Sequence, residues 1–290
     1  MASNLLYSLV LELQPRQEAL LAPTQGYHAY ALLLQIVKWR DAGYASYLHE
    51  LPGAKPFTVS PLRGKVKRQG NYVLVSPAEV YRLRLTVLQE EVFARLLDAL
   101  LHLPGDRALS LEAAAFGLRR VVTTPAESPW AGFTSFATLL AGARPRRRLR
   151  LAFCSPTAFR SEGRRNVVLP LPELVFGSLL TRWNEFAPHS LPEELRQAAK
   201  EELLIARYQL RTRMLDFGRY KELGFEGECE YECGPELPAT RAAQLAALAG
   251  FAFYAGVGAK TTMGMGQSTE VTPHGSVVPR GAGLDSTQER

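Results

Sequence analysis

The chain opens on a period-two alternation. Leu5, Tyr7, Leu9, Leu11 and Leu13 fall on one side and Ser8 and Glu12 on the other, which predicts a half-buried strand. The spacing then lengthens, and Thr24 can cap a helix over 26–40. Short strands are predicted over 57–62 and 72–76. Ser76, Pro77 and Glu79 carry the spacing of a helix start. Val80, Leu83, Val87, Val92, Leu96 and Leu100 extend it as a buried helical stripe. Residues 110–124 predict one more strand, although their alanines would also suit a helix. Strand, helix, strand, strand, helix, strand is the split βαββαβ order of the ferredoxin-like fold.

Residues 125–145 are rich in Gly, Pro and Ser and read as a linker or long loop. The pattern then restarts. Leu149, Leu151 and Phe153 alternate with Arg148, Arg150 and Ala152. Helices are predicted over 172–186 and 192–203, and a hairpin over 205–234. A helix over 238–254 buries Leu245, Leu248, Ala249 and Ala252, and a last strand follows a glycine-rich loop. The expected class is therefore α+β, two tandem ferredoxin-like units of which the second is degenerate. The repeat rests on element order alone, since no internal identity is visible. Expected boundaries are 1–127, a linker over 128–145, a second unit over 146–272, and a polar, disordered tail over 273–290.

Composition narrows the classes. With 290 residues, 47% of them hydrophobic, the chain can fill a real core, so global disorder is excluded. A net charge of +6 permits a polyanionic partner without requiring one. Cys154, Cys229 and Cys233 do not make a disulfide framework, and with no His pair near Cys229 and Cys233 a zinc site is not expected. The first residues lack a basic signal-peptide region, and no apolar run is long enough to span a bilayer. A soluble cytoplasmic protein is expected.

Chemistry concentrates in the loop GVGAKTTMGMGQ. Gly256, Gly258, Gly264 and Gly266 allow close backbone approach, while Lys260, Thr261 and Thr262 supply a cation and two hydroxyls. A dinucleotide fingerprint needs strand before helix, and the order here is the reverse. A Walker loop needs an adjacent Gly-Lys pair, and Ala259 separates Gly258 from Lys260. Two readings stay open: a tight turn into an edge strand, or a loop whose amides and lysine hold a phosphodiester backbone.

This block closely resembles the C-terminal glycine-rich loop of the Cas6 endoribonucleases of CRISPR systems, members of the RAMP superfamily. Tyr47-Leu48-His49-Glu50, then Gly53-Ala54-Lys55-Pro56-Phe57-Thr58-Val59-Ser60, resembles that family's N-terminal motif. Ser155-Pro156-Thr157-Ala158-Phe159-Arg160 resembles its central one. The resemblance implies two ferredoxin-like halves and binding of CRISPR repeat RNA, precursor and mature. It also implies a metal-independent cut without a cofactor, in which a ribose 2′-hydroxyl attacks the adjacent phosphate. The expected ends are a 2′,3′-cyclic phosphate and a 5′-hydroxyl. A non-catalytic RAMP subunit of an effector complex is the alternative, and a homodimer fits either.

That reaction needs a base, an acid and a cation near the phosphorane. His49 is the first candidate for acid or base, against a helix-end histidine bonded to backbone. Lys55 matches a phosphate-stabilising lysine of some relatives, against a solvated loop lysine. Some relatives use a tyrosine on the first helix, but the collinear position here is Leu34. His28 is therefore the expected second catalytic group, with Tyr27 and Tyr30 nearer the buried stripe. Arg207, Arg211 and Arg213 are expected to pair with the row Glu226, Glu228, Glu230 and Glu232 if their strands are neighbours. Arg146 and Arg147, in a basic run from Arg144 to Arg150 with no acidic row nearby, are expected RNA contacts. So are Arg160, Arg164 and Arg165, although each cluster also suits a solvated loop. Trp130 and Phe133 could stack on bases or pack on the core.

Overall fold

A computed structural model describes residues 4–160 and 166–272, with short strand pieces at 275–276 and 285–286. Arg164, Arg165 and most of the expected tail lie outside the described residues. The chain divides into two compact units. One is built on Tyr7–Phe133 and includes Thr262–Gly264; the other is built on Thr134–Thr261 and resumes at Met265.

The first unit begins with β1 (Leu5–Pro15), β2 (Ala19–Leu21) and α1 (Gly26–Arg40). The N-cap of α1 is Gln25, not Thr24, and the Gln25 side chain makes no capping bond. Then come α2 (Ala42–Glu50), β3 (Phe57–Val59), β4 (Lys65–Gln69), β5 (Tyr72–Val75) and β6 (Tyr81–Val87). The unit continues with α3 (Glu90–Leu101), β7 (Leu109–Leu111) and β8 (Ala114–Val122). The helix expected from Ser76 onward is a strand for its first half. Leu83, Leu85 and Val87 fall opposite Leu11, Leu9 and Tyr7 of β1, so alternation won over the three-to-four spacing that Val80, Leu83 and Val87 also satisfy. Ser76 starts a turn, its carbonyl accepting from the Glu79 amide at 3.0 Å. The helix starts at Glu90, with Glu90 and Glu91 at the positive end of its dipole. Residues 110–124 likewise split into the β7–β8 hairpin, which reverses at Glu112 with φ +55°.

The strands of the first sheet lie in the order β3-β6-β1-β8-β7. β2, β4 and β5 form a smaller antiparallel set. Leu32, Leu33 and Ile36 of α1, Leu48 of α2 and Leu96 of α3 close one core with Leu11, Phe57, Leu85 and Phe116.

Residues 125–145 are more than a linker. They hold β9 (Gly132–Ser135), which pairs with β1, and α4 (Phe136–Gly142). Ser135 caps α4 by accepting from the Thr138 amide at 2.9 Å. Phe136, 2% exposed, packs against Trp183 and Phe251. The turn-rich composition hid one N-cap serine and one buried ring.

The second unit continues with β10 (Arg148–Thr157), α5 (Pro172–Phe186), α6 (Glu194–Glu202) and β11 (Leu203–Asp216). After these come β12 (Lys221–Cys233), α7 (Ala239–Ala255) and β13 (Ser268–Thr272). Its main strands lie in the order β11-β12-β10-β13. In both units the strand first in the chain sits between the third and fourth, and the second takes the edge beside the third. That shared arrangement is the ferredoxin-like topology twice over.

Candidate active site

His49 stands in the last turn of α2. Asp41 starts that helix by accepting from the Tyr44 amide at 2.8 Å, and Ala45 and Leu48 bury its inner side. His49 is thereby left exposed. Its Nδ1 lies 3.1 Å from the hydroxyl of Tyr30, on α1. Tyr30 is 7% exposed and stacks on Phe57, whose ring centre is 6.0 Å away at 16°. Burial first, and then nearby Tyr27, hold the phenol of Tyr30 above its usual pKa of 10.0, so it stays protonated at neutral pH. The hydroxyl can donate to Nδ1 of a neutral ring or accept from Nδ1–H of an imidazolium. Either way Nε2 is the nitrogen left to meet a ligand.

Lys55 sits beside this pair, turned inward. Its ammonium donates to the carbonyls of Leu48 at 3.0 Å and His49 at 2.8 Å, and to that of Leu51. These are the closing carbonyls of α2, so the lysine caps the negative end of the helix. Its three donors are all engaged, and burial lowers its pKa from 10.5. Lys55 therefore fixes the turn that carries His49.

His28 is half-buried and meets the Tyr27 ring edge-on at 5.7 Å. It makes no described contact with His49; Tyr30 occupies that place. The signal available in the sequence was the tyrosine itself, since a buried phenol needs a hydrogen-bond partner.

The glycine-rich loop is braced from within. Gly266 N–H donates to Pro156 O at 3.0 Å, Ala259 N–H to Ala158 O at 2.9 Å, and Val257 N–H to Gly266 O at 2.8 Å. A β-carbon at Gly258 would stand 2.5 Å from Ala158 O, and one at Gly266 would stand 2.1 Å from Val257 O. These glycines serve the loop's own packing. Among the described residues, the amides this bracing leaves over are those of Lys260, Thr261 and Thr262, at the start of a single 3-10 turn over Thr261–Met263. Thr261 is 2% exposed and Thr262 half-buried. Lys260 pairs with Glu222 of β12 at 2.9 Å and lies 4.0 Å from the centre of the Tyr220 ring. Arg182 of α5, which the sequence did not single out, donates to the carbonyls of Ala255 and Gly258 and holds the loop's entry.

The basic run before β10 does face an acidic row. β10 lies next to β12, with Arg150 opposite Glu230 and Arg148 opposite Glu232. Arg147 pairs with Glu232 at 2.9 Å, Arg148 with Glu230 at 3.1 Å, and Arg146 with Glu270 at 2.7 Å. On the other side of β12, Arg211 and Arg213 both reach Glu226, as the alternation predicted. The long-range pairing of β10 with β12 was not visible in the sequence. Arg160 is exposed at the rim of the segment 161–165, with no ion pair among the described residues. The guanidinium groups of Arg63 and Arg84 each lie 4.9 Å from the centre of the Trp130 ring, while Phe133 is 69% exposed. Among the described residues, no group of three or more His, Cys, Asp or Glu side chains could hold a metal, and no helix is long and apolar enough to cross a membrane.

Comparison with known proteins covers nearly the whole chain. Residues 5–141 match the family described as the CRISPR Cas6 N-terminal domain, and residues 151–268 match CRISPR-associated endoribonuclease Cas6. A Thermus thermophilus Cas6 structure is 31% identical with a TM-score of 0.73, covering 93% of this chain and 100% of that one. Its product complex gives 32% identity and a TM-score of 0.77, covering 92% and 100%. A CRISPR-associated endoribonuclease Cas6 of Mycobacterium tuberculosis is 24% identical over 280 residues, 94% of this chain and 81% of the relative.

Proposed function

This chain belongs to the Cas6 family of CRISPR-associated endoribonucleases, and from that premise we propose that it cuts precursor CRISPR RNA within the repeats without a metal ion. The ribose 2′-oxygen gives up its proton and bonds to the adjacent phosphorus. The bond from phosphorus to the 5′-oxygen breaks, and that oxygen takes a proton. The products are a 2′,3′-cyclic phosphate and a 5′-hydroxyl.

His49 is the acid–base group of this reaction, acting through Nε2. The single observation that carries the assignment is the 3.1 Å contact between Tyr30 hydroxyl and Nδ1. One hydroxyl that can both donate and accept holds the ring in one orientation through both of its protonation states. That is what a group that takes up and releases a proton requires. Lys55 supports the same turn, so its role is to position His49. Thr262 and the amides of the 3-10 turn hold the RNA backbone, while the Thr261 side chain, 2% exposed, packs inside the loop. Lys260 joins them when a phosphate replaces Glu222 as its partner.

The test is cleavage of repeat RNA in excess chelator, with the ends identified. Wild-type protein should cut and leave a cyclic phosphate. His49→Ala should lose about 10²–10⁴-fold in single-turnover rate. Replacing the 2′-hydroxyl at the cut site by hydrogen should abolish cleavage. Tight binding without any cleavage by the wild type would instead make the chain a non-catalytic RNA-binding subunit.

A further inference from the structure

Gly26 is the first residue of α1, and its Cα faces the tip of the glycine-rich loop. The tip, Thr262–Gly264, belongs to the same compact unit as α1. A β-carbon at Gly26 would stand 1.7 Å from the carbonyl oxygen of Met263 and 2.4 Å from its carbonyl carbon. Both are backbone atoms, so no side-chain rotation relieves the overlap. From the other side, a β-carbon at Gly264 would stand 3.3 Å from the Cα of Gly26 and 3.3 Å from the Pro61 nitrogen. The two glycines meet backbone to backbone.

Local propensity does not ask for glycine at position 26. The residue is helical, and alanine is the better helix former. The absent side chain answers to space. Tyr30 follows Gly26 by one turn, and residues four apart share a helix face. The face of α1 that meets the loop tip is thus the face whose next turn carries the hydroxyl on His49.

We propose that Gly26 is a positioning residue for RNA cleavage. Its bare Cα lets the tip of the loop seat on the first turn of α1. The backbone of the tip, Thr262–Gly264, and the Tyr30–His49 pair then share one reference within the same unit. The inference rests on the cleavage reading above. A methyl group at Gly26 must clear Met263 O from 1.7 Å to the roughly 3 Å that real contacts keep, a shift of more than about 1 Å. Misplacement on that scale costs about 100-fold in a reaction that depends on in-line geometry.

The experiment compares wild type, Gly26→Ala and Gly43→Ala. Gly43 is a glycine of α2 whose added methyl would meet only Asp41 Oδ1, at an ordinary 3.5 Å. Single-turnover cleavage is measured at saturating protein in chelator, and affinity is measured on repeat RNA with a 2′-deoxy cut site. Gly26→Ala should cut about 100-fold slower while its affinity changes less than about threefold. Gly43→Ala should match wild type. Gly264→Ala strains the same contact from the other side, besides its own backbone at φ +83°, and the shared contact should make the double variant lose clearly less than the product of the two single losses.

A Gly26→Ala rate within about threefold of wild type would overturn the proposal. So would equal losses in rate and affinity, or losses that multiply in the double variant. If thermal unfolding shows that Gly26→Ala does not fold, Gly264→Ala is read by the same rate and affinity criteria. Wild-type protein that fails to cut sinks the cleavage reading, and this inference with it. Wild-type protein that cuts beside an equally fast Gly26→Ala sinks this inference alone.

Discussion

Tyr30→Phe isolates one hydroxyl. The ring that stacks on Phe57 stays, and with it the packing of a residue only 7% exposed. What goes is the 3.1 Å contact to His49 Nδ1. A hydrogen bond of this kind contributes about 0.5–1.5 kcal/mol between neutral groups and about 1.5–3 kcal/mol when one partner is charged. At 1.36 kcal/mol per factor of ten, the loss is about 2- to 160-fold in rate. Burial raises the pKa of the phenol above 10.0, so it does not ionise between pH 6 and 9. Any pH dependence of the wild-type rate across that range is therefore not the phenol's own titration. The assay is single-turnover cleavage against pH, with affinity for 2′-deoxy repeat RNA measured alongside and expected to hold. A rate equal to wild type would show that the contact does not orient His49. A loss as deep as that of His49→Ala would show that Tyr30 itself moves a proton, and the orienting role would be wrong.

Two further substitutions separate bracing from phosphate contact. Lys55→Met should lower the melting temperature through the lost cap of α2, a contribution of about 0.3–2 kcal/mol. It should leave the salt dependence of RNA affinity unchanged, and a slope shallower by about one would instead put the ammonium on a phosphate. Glu222→Gln should release Lys260, raise RNA affinity at low salt and steepen the salt slope by about one. Unchanged affinity and slope would mean that Lys260 does not engage RNA.

Much of the fold was legible where a pattern had one solution. The run Leu5 to Leu13 could only be a strand, and the boundaries of α1 and α5 followed from local spacing. Residues 80–87 admitted two periods, and only the neighbouring β1 chose between them. The Arg207–Arg213 side of the β12 row was legible because a hairpin pairs strands adjacent in sequence. The Arg146–Arg150 side was not, because β10 and β12 are brought together from far apart in the chain. At the site, His49 could be chosen from its chemistry and motif. Tyr30 could not, because 19 residues separate it from His49 and the contact depends on how α1 and α2 pack. Glycines that suggested open approach to a ligand turned out to be filled by backbone. A sequence shows that a β-carbon is missing but not which atoms occupy its place.

The rows of Arg and Glu on β10, β11 and β12 bear on target discrimination. A face whose charges are interleaved within a few ångströms cancels its own field a Debye length away. An anionic polymer passing at that distance is neither drawn in nor repelled. These pairs add nothing to the net charge of +6, so whatever long-range pull the chain exerts on an anionic polymer comes from its remaining cations. An enzyme bathed in unrelated RNA gains from such a screened surface. Fewer encounters become long-lived off-target complexes, and residence time is left to contacts that test shape at short range.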